Sequence, residues 1–255
     1  MKDIQSLRDH RRINIKKVGV KDISYPISVL DRANQVQRTV ARVNMYVNLP
    51  HQFKGTHMSR FIEILNHFHG DINLRSFRLM LEETKTKLQA EAAHMEIEFP
   101  FFLKKKSPAA NQMELVEYLC RMHGSLDRTD DLTLEVAVPI APPAPVQTSS
   151  RLPASLGHWG VANICLRFRH FIWLEELIEM VEEVTSHDLR WSASSVKPPA
   201  HTLSVEKIAK DLAVKLAGHP DISWCSITVE NLSQGFSTFA TIEWPEEDFN
   251  LNRIH

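Results

Sequence analysis

Strict alternation of apolar and polar residues recurs in both halves of the chain and limits the folds that it can adopt. One face of each alternating stretch is apolar over residues 41–47, 95–101, 132–140 and 162–168. A period of two is typical of a half-buried strand whose other face is polar. Segment 112–123 is ambiguous, because its apolar positions fit either a short helix or another strand.

Helical spacing separates these strands in the same way in each half. Phe61 to Phe68 and Leu74 to Leu88 repeat every three or four residues, and Glu83 with Lys87 adds an i,i+4 ion pair. Leu174 to Val184 and Val205 to Leu216 repeat the plan in the second half. Each half therefore reads as strands, two helices and strands, which predicts an α+β protein with antiparallel sheets and paired helices on one face.

A proline-rich segment separates the two halves. Residues 139–153 contain five prolines, which favours a linker or a long irregular loop. The predicted organisation follows from this segment: an N-terminal arm at 1–30, a first module at 31–141, a linker at 142–160 and a second module at 161–255.

Composition excludes several classes of function. The 255 residues are 43% hydrophobic and 24% charged, the balance of a globular protein with an ample core. A formal net charge of −1 gives no electrostatic footprint for nucleic acid. No apolar stretch approaches the roughly 20 residues that span a membrane. The N-terminus lacks the apolar run of a signal peptide, and three distant cysteines argue against disulfides, so a cytoplasmic location is expected.

The segment Lys-Gly-Thr-His-Met-Ser-Arg-Phe at residues 54–61 carries the densest set of binding groups. A turn glycine, two hydroxyls, an imidazole and a guanidinium lie just ahead of the first amphipathic helix. Backbone N–H groups and the positive end of the helix dipole suit such a place to an anion. A well-capped surface helix is the alternative interpretation.

We call residues 54–61 the signature, because they resemble the signature segment of the type IB GTP cyclohydrolases. These bacterial and archaeal enzymes catalyse the first step of folate or pterin synthesis. The likeness extends over most of the chain and includes Asp3–Ser6, Val18–Val20, Asn44–Val47, Leu134–Pro139, Phe171–Val181 and Val205–Leu216. The resemblance implies two tandem tunnelling-fold (T-fold) modules, assembled as a homotetramer with sites at subunit interfaces. It also implies the family reaction, in which GTP gives 7,8-dihydroneopterin triphosphate and formate with the help of zinc or manganese.

The resemblance also assigns substrate-binding candidates for a purine or pterin nucleotide. Within the signature these are Thr56, His57, Ser59 and Arg60. Arg60 is the natural triphosphate partner because a guanidinium makes bidentate contacts with such groups, although it could instead pin a loop or a subunit contact. Glu206 matches the family's glutamate for the purine edge, or is simply a first-turn helix glutamate.

The positions of the family's metal ligands hold other residues in this chain. Its Cys-Pro-Cys-Ser run corresponds to Ala-Pro-Val-Gln, so that Ala144 stands at the ligand cysteine, and Leu156 stands at the ligand histidine. The stretches 196–200 and 233–236 likewise lack the family's carboxylate and late histidines. Because alanine and leucine cannot bind zinc, we expect no catalytic residue of the standard set and no cofactor. Zinc or manganese is expected only in a displaced site, for which His158 is the candidate.

Three hypotheses for the function follow. The first is a diverged paralogue that lacks cyclohydrolase activity but still binds a purine, a pterin or a similar planar ligand. The second is an active cyclohydrolase with displaced metal ligands. The third is a structural or regulatory partner in a mixed oligomer.

Overall fold

The computed structural model describes most of the chain in two compact units. One unit comprises residues 1–101 with 119–134, and the other comprises 102–118 with 135–255. Within these, the described residues are 15–50, 57–106, 113–128, 130–140, 160–185, 205–232 and 237–245. The predicted boundaries of arm, modules and linker stay predictions, although residues 15–30 of the arm belong to a long strand.

Nine strands and four helices form the described part of the chain. The strands are β1 Ile15–Asp31, β2 Gln35–Leu49, β3 Asp71–Ile72, β4 Ala92–Lys106, β5 Met113–Leu126, β6 Asp130–Ile140, β7 Gly160–Phe168, β8 Ile222–Leu232 and β9 Ser237–Trp244. The helices are α1 Ser59–His67, α2 Leu74–Lys87, α3 Leu174–Thr185 and α4 Val205–Ala217. None of these described helices is long and apolar enough to cross a membrane.

The predicted architecture of two tandem T-fold modules, each an antiparallel sheet with paired helices, is wrong. The described strands form one nine-stranded sheet in the order β3-β1-β2-β4-β5-β6-β7-β8-β9. The sheet is mixed because β3 runs parallel to β1, whereas β2 is antiparallel to both β1 and β4. Alternation in the sequence reports which face of a strand is buried, but it carries no information about which strand is its neighbour.

Burial confirms the alternation that the sequence predicts. Ala41, Val43, Met45 and Val47 of β2 are at most 1% exposed, and the residues between them are exposed or half-buried. Residues 113–123 of the ambiguous segment fall within strand β5, where Tyr118, Cys120 and Met122 are buried. Leu115 and Leu119 lie on its exposed face, and these outward apolar side chains obscured the period of two.

In the first unit, α1 and α2 bury apolar stripes. Phe61, Ile64 and Leu65 of α1 and Phe77 and Met80 of α2 are at most 2% exposed. Gly70 ends the α1 region in a left-handed conformation (φ +77°), and a Cβ there would approach the Pro26 carbonyl oxygen to 2.4 Å. A glycine is therefore required where the chain turns back between α1 and α2.

The second unit contains β7, β8 and β9 together with α3 and α4. Strand β7 pairs antiparallel with β8, and β8 pairs antiparallel with β9. Leu177, Ile178 and Val181 of α3 and Leu212 and Leu216 of α4 are fully buried. These positions follow the helical spacing that the sequence shows, so the existence of both helices is confirmed.

Candidate functional site

The described part of the signature comprises His57 to Phe61 and forms the first turn of α1. The helix starts at Ser59, as the sequence predicts for a polar cluster at a helix N-terminus. Met58 is the N-cap residue, it has helical backbone angles, and it makes no side-chain cap hydrogen bond. His57 is half-buried, whereas Ser59 and Arg60 are exposed.

Hydrogen bonding in this turn leaves fewer backbone N–H donors for an anion than the sequence suggests. The amide of Arg60 donates to the His57 carbonyl, and the amide of Phe61 donates to the Met58 carbonyl, each at 3.2 Å. These tight-turn bonds use two N–H groups that an ordinary helix start would offer to a ligand. Recognition of an anion here therefore depends mainly on the side chains of the signature.

The two ends of α1 are both tied to the last turns of α2. At the first end, Nη1 of Arg60 donates to the main-chain carbonyl of Lys87 at 3.2 Å. At the other end, Nδ1 of His67 lies 2.9 Å from Oε2 of Glu83. Glu83 also accepts from Nζ of Lys87 at 2.5 Å, which confirms the predicted i,i+4 pair. We call these contacts the α1–α2 clamp.

Glu83 contacts both Lys87 and His67 in the α1–α2 clamp, and its side chain is 17% exposed. Partial burial opposes ionisation of this carboxyl, but the hydrogen bonds from Lys87 and His67 outweigh it and hold the pKa of Glu83 below its ordinary value. The carboxylate is consequently charged at neutral pH and can accept hydrogen bonds from both Lys87 and His67. The sequence predicted the helical pair but not the contact with α1, because only the fold brings α1 to it.

A second polar cluster lies on the exposed side of the first unit's strands. The Tyr46 ring stacks on the His94 ring with centroids 4.8 Å apart, and Nζ of Lys17 lies 3.5 Å from the Tyr46 centroid. Burial, His123 and Lys17 lower the pKa of His94, so its neutral form is favoured. Asn44 accepts from the Asp22 amide and donates to Glu96, which fixes the left-handed Asp22 in β1.

Comparison with known proteins identifies the family. A model of the family described as "Type I GTP cyclohydrolase folE2" matches residues 1–233. The GTP cyclohydrolase FolE2 of Syntrophobacter fumaroxidans is 43% identical over 257 residues, which cover 95% of this chain and 99% of that relative. The chain belongs to the GTP cyclohydrolase FolE2 family. A second FolE2 relative, from Geobacter sulfurreducens, is 44% identical and covers 95% of this chain and 98% of its own.

The resemblance to GTP cyclohydrolases is thus confirmed, with FolE2 as the matching family. The type IB tunnelling-fold label and the loss of metal ligands form no part of these matches. The family membership therefore shows neither a type IB tunnelling fold nor a loss of metal ligands.

Solved structures with a similar fold are uricases. A hyper-thermostable AgUricase variant matches with a TM-score of 0.57 and 7% identity, over 92% of this chain and 94% of that chain. The urate oxidase of Bacillus subtilis 168 gives a TM-score of 0.56 at 10% identity, over 89% and 97% of the two chains. At such low identity the likeness concerns the fold alone, and it supports the single nine-stranded sheet over the predicted pair of modules.

The structure places the predicted site residues of this FolE2 member in different surroundings. His57, Ser59 and Arg60 lie together at the start of α1, whereas Thr56 lies outside the described residues. Glu206 is exposed in the first turn of α4, in the other unit. Three of the four signature candidates therefore lie together, and the binding roles of all the candidates, Glu206 included, stay predictions.

The metal that the resemblance implies has no matching donor set among the residues that the structure describes. Among those residues, no group of three or more His, Cys, Asp or Glu side chains could hold a metal ion. Burial raises the pKa of Cys225 to about 11 and that of the buried Cys120 thiol still further, so neither offers a thiolate. Ala144, Leu156 and the alternative ligand His158 lie outside the described residues. The methyl and isobutyl groups of the first two have no atom that can bind zinc.

Proposed function

We propose that this FolE2-family chain binds GTP through its signature and has lost the family's metal-dependent hydrolysis. The assignment of GTP as the ligand is supported by the family match over residues 1–233, which includes the signature. The relatives that match over nearly their whole length are named GTP cyclohydrolases, so GTP is the first ligand to test. In this proposal the protein remains a guanine-nucleotide receptor of folate biosynthesis.

Recognition of the triphosphate is assigned to the side chains at the start of α1. His57 and Ser59 supply an imidazole and a hydroxyl beside the positive end of the helix dipole, which favours negative charge. Arg60 belongs to the same turn, where its guanidinium donates to the Lys87 carbonyl of α2. Glu206 is proposed to accept hydrogen bonds from the purine edge, with the ring at an interface of a homotetramer.

Loss of hydrolysis is proposed from the chemistry of the ligand positions. A bound divalent metal would lower the pKa of a water molecule and polarise the attacked centre. Ala144 and Leu156 replace the cysteine and the histidine that would hold that metal. The residues present at these positions therefore do not fit a divalent metal.

A second candidate function is GTP cyclohydrolase activity with displaced ligands such as His158. Identity of 43% over 95% of the chain with a FolE2 enzyme favours this candidate, since the relative is named for that activity. Turnover of GTP separates the two proposals. Protein purified without chelator is assayed for bound metal and for formate release, with zinc and with manganese added. We expect neither metal nor formate, and stoichiometric metal with formate release would establish the second candidate.

Ligand binding is tested by titration calorimetry with GTP, GDP, GMP and guanosine. We expect affinity to fall as phosphates are removed and His57→Ala to weaken GTP binding about tenfold, since a hydrogen bond to a charged group contributes roughly 1.5–3 kcal/mol. His170→Ala, which removes an exposed histidine of the other unit, is the matched control and should bind GTP as the wild type does. If no nucleotide binds, the receptor proposal fails and a structural or regulatory partner becomes the better hypothesis.

A further inference from the structure

The side chain of Arg60 contacts the end of α2, which indicates a role other than direct phosphate contact. Its Nη1 atom donates to the Lys87 carbonyl, in the last turn of α2. The last carbonyls of a helix carry partial negative charge and attract cations. Arg60 therefore has a partner of suitable charge within the first unit.

The N-cap residue of α1, Met58, makes no side-chain cap hydrogen bond, so a tertiary contact matters more at this helix start. The start of α2 shows the contrast: Asn73 accepts from the amides of Arg75 and Ser76, and Ser76 completes a capping box. At the start of α1 the N-cap residue Met58 makes no such hydrogen bond, and residues 58–60 are exposed. A turn without a cap frays more readily, so a tertiary contact there has a larger effect on its geometry.

The α1–α2 clamp supplies that contact at both ends of α1. Phe61, Ile64 and Leu65 bury the apolar face of the helix, and His67 with Glu83 fixes its C-terminal end. The Arg60 contact fixes the N-terminal turn, immediately beside Ser59 and His57. All of these partners belong to the first unit.

We infer that Arg60 is a positioning residue: it holds the signature turn on the end of α2, so that His57 and Ser59 meet the phosphates of the nucleotide in a fixed geometry. The inference rests on the proposed function, because it names how the GTP site is organised. It differs from the sequence-based assignment of Arg60 as the triphosphate partner. The two roles predict different consequences when the guanidinium is removed.

The test uses the full chain with Arg60→Ala and Arg60→Lys, and Arg75→Ala as the control from the exposed first turn of α2. Calorimetry gives the GTP affinity at several NaCl concentrations, and hydrogen exchange of the nucleotide-free protein reports on the clamp. For Arg60→Ala we expect about tenfold weaker GTP binding with the salt dependence of the wild type. We also expect faster exchange at the amides of Arg60, Phe61, Leu88 and Gln89, which bond within the two clamped turns.

Arg60→Lys keeps a cationic donor for the Lys87 carbonyl and should restore affinity to within about threefold of the wild type. Arg75→Ala should leave both readouts unchanged. Direct phosphate contact would instead weaken the salt dependence of GTP binding while leaving exchange of the nucleotide-free protein as it was, because screening acts on the lost charge pair. That result, or an Arg60→Ala variant with wild-type affinity, overturns the inference. A wild type that binds no GTP overturns the proposed function itself, which distinguishes the two failures.

Discussion

Both units pack apolar helix faces against the sheet, and the second unit adds a mostly buried ionic cluster. In the first unit the interior face of α2 is apolar, and Phe77 packs against β5 where Gly124 leaves space for its ring. In the second unit α3 carries Glu182 into a mostly buried ionic cluster with Lys105 of β4 and Tyr118 of β5. The Tyr118 hydroxyl donates to Glu182 at 2.6 Å, and Lys105 forms an ion pair with the same carboxylate.

Because of the ionic cluster, the two units lose stability through different kinds of substitution. Apolar contacts lose stability in proportion to the volume and area that a substitution changes. A buried ionic cluster responds to the removal of one partner much more strongly than to the replacement of all partners, because the remaining charge is left without compensation. Burial and the hydrogen bond to Glu182 also raise the pKa of Tyr118, so the hydroxyl stays a donor.

The largest loss of stability is expected when the ionic cluster of the second unit loses one partner. Glu182→Ala should lower the free energy of unfolding by about 3 kcal/mol, because it leaves the Lys105 ammonium mostly buried without its partner. Urea denaturation followed by fluorescence gives the value. Glu183→Ala is the matched control: its carboxylate is 65% exposed and pairs with an exposed Lys215, so the loss should stay below about 1 kcal/mol.

Replacing the whole cluster tests whether charge is needed at all. The triple change Lys105→Met, Tyr118→Phe and Glu182→Leu should recover most of the stability that Glu182→Ala loses, since an apolar replacement of a buried pair is often neutral or better. A triple variant as unstable as Glu182→Ala would show that the cluster specifies the packing of α3 and is not interchangeable with apolar contacts.

The second effect tests the apolar attachment in the first unit. A Cβ on Gly124 would lie 2.3 Å from Cε1 of Phe77 and 2.9 Å from Cδ1 of Leu81, so Gly124→Ala should cost about 1–3 kcal/mol through overpacking. Gly218→Ala in the second unit is the control, because its nearest contacts would be 3.5 Å away. Adding Phe77→Leu to Gly124→Ala should return part of the loss; no return would mean that the backbone, not the ring, sets the limit.

Much of each unit could be predicted from the sequence, and the reasons differ by element. Periodicity located the alternating strands and all four helices, because burial on one side imposes a period that a single chain displays. The single sheet escaped prediction because strand order depends on pairing between residues distant in sequence. The outward Leu115 and Leu119 concealed β5, since apolar residues on an exposed face weaken the alternation.

The candidate site was predicted unevenly for a related reason. The signature located the start of α1, and Glu83 with Lys87 was predicted as a pair within one helix. Arg60 on the Lys87 carbonyl and Glu182 with Lys105 could not be predicted, because each contact joins elements that only the fold brings together. Long cationic side chains give no periodic signal that would reveal their partners.

A third, smaller effect compares the two helix starts within the first unit. Asn73→Ala should destabilise the protein by about 1 kcal/mol, because it removes the side-chain acceptor for two amides of α2. Met58→Ala, at the start of α1, removes no cap and should change stability by less than about 0.5 kcal/mol. Thermal denaturation of both variants gives the comparison. Equal losses would contradict the assignment of the capping box as the feature that separates the two starts.

The smallest effect concerns the contacts of Glu83 with Lys87 and His67 in the α1–α2 clamp. Glu83→Gln should cost about 0.5 kcal/mol at neutral pH, because Lys87 and His67 are 47% and 65% exposed and water screens both contacts. The pKa of Glu83 is lowered in the folded protein, so its contribution is fully present above the ordinary pKa of 4.5 and is lost as the pH falls through the folded value. Urea denaturation of wild type and variant between pH 7 and pH 3 should therefore give a difference that shrinks on the acid side. Glu63→Gln, at an exposed position of α1, is the control for the loss of one carboxylate. A difference that grows below pH 4 would mean that the protonated carboxyl is the form the fold prefers, and that the α1–α2 clamp is not ionic.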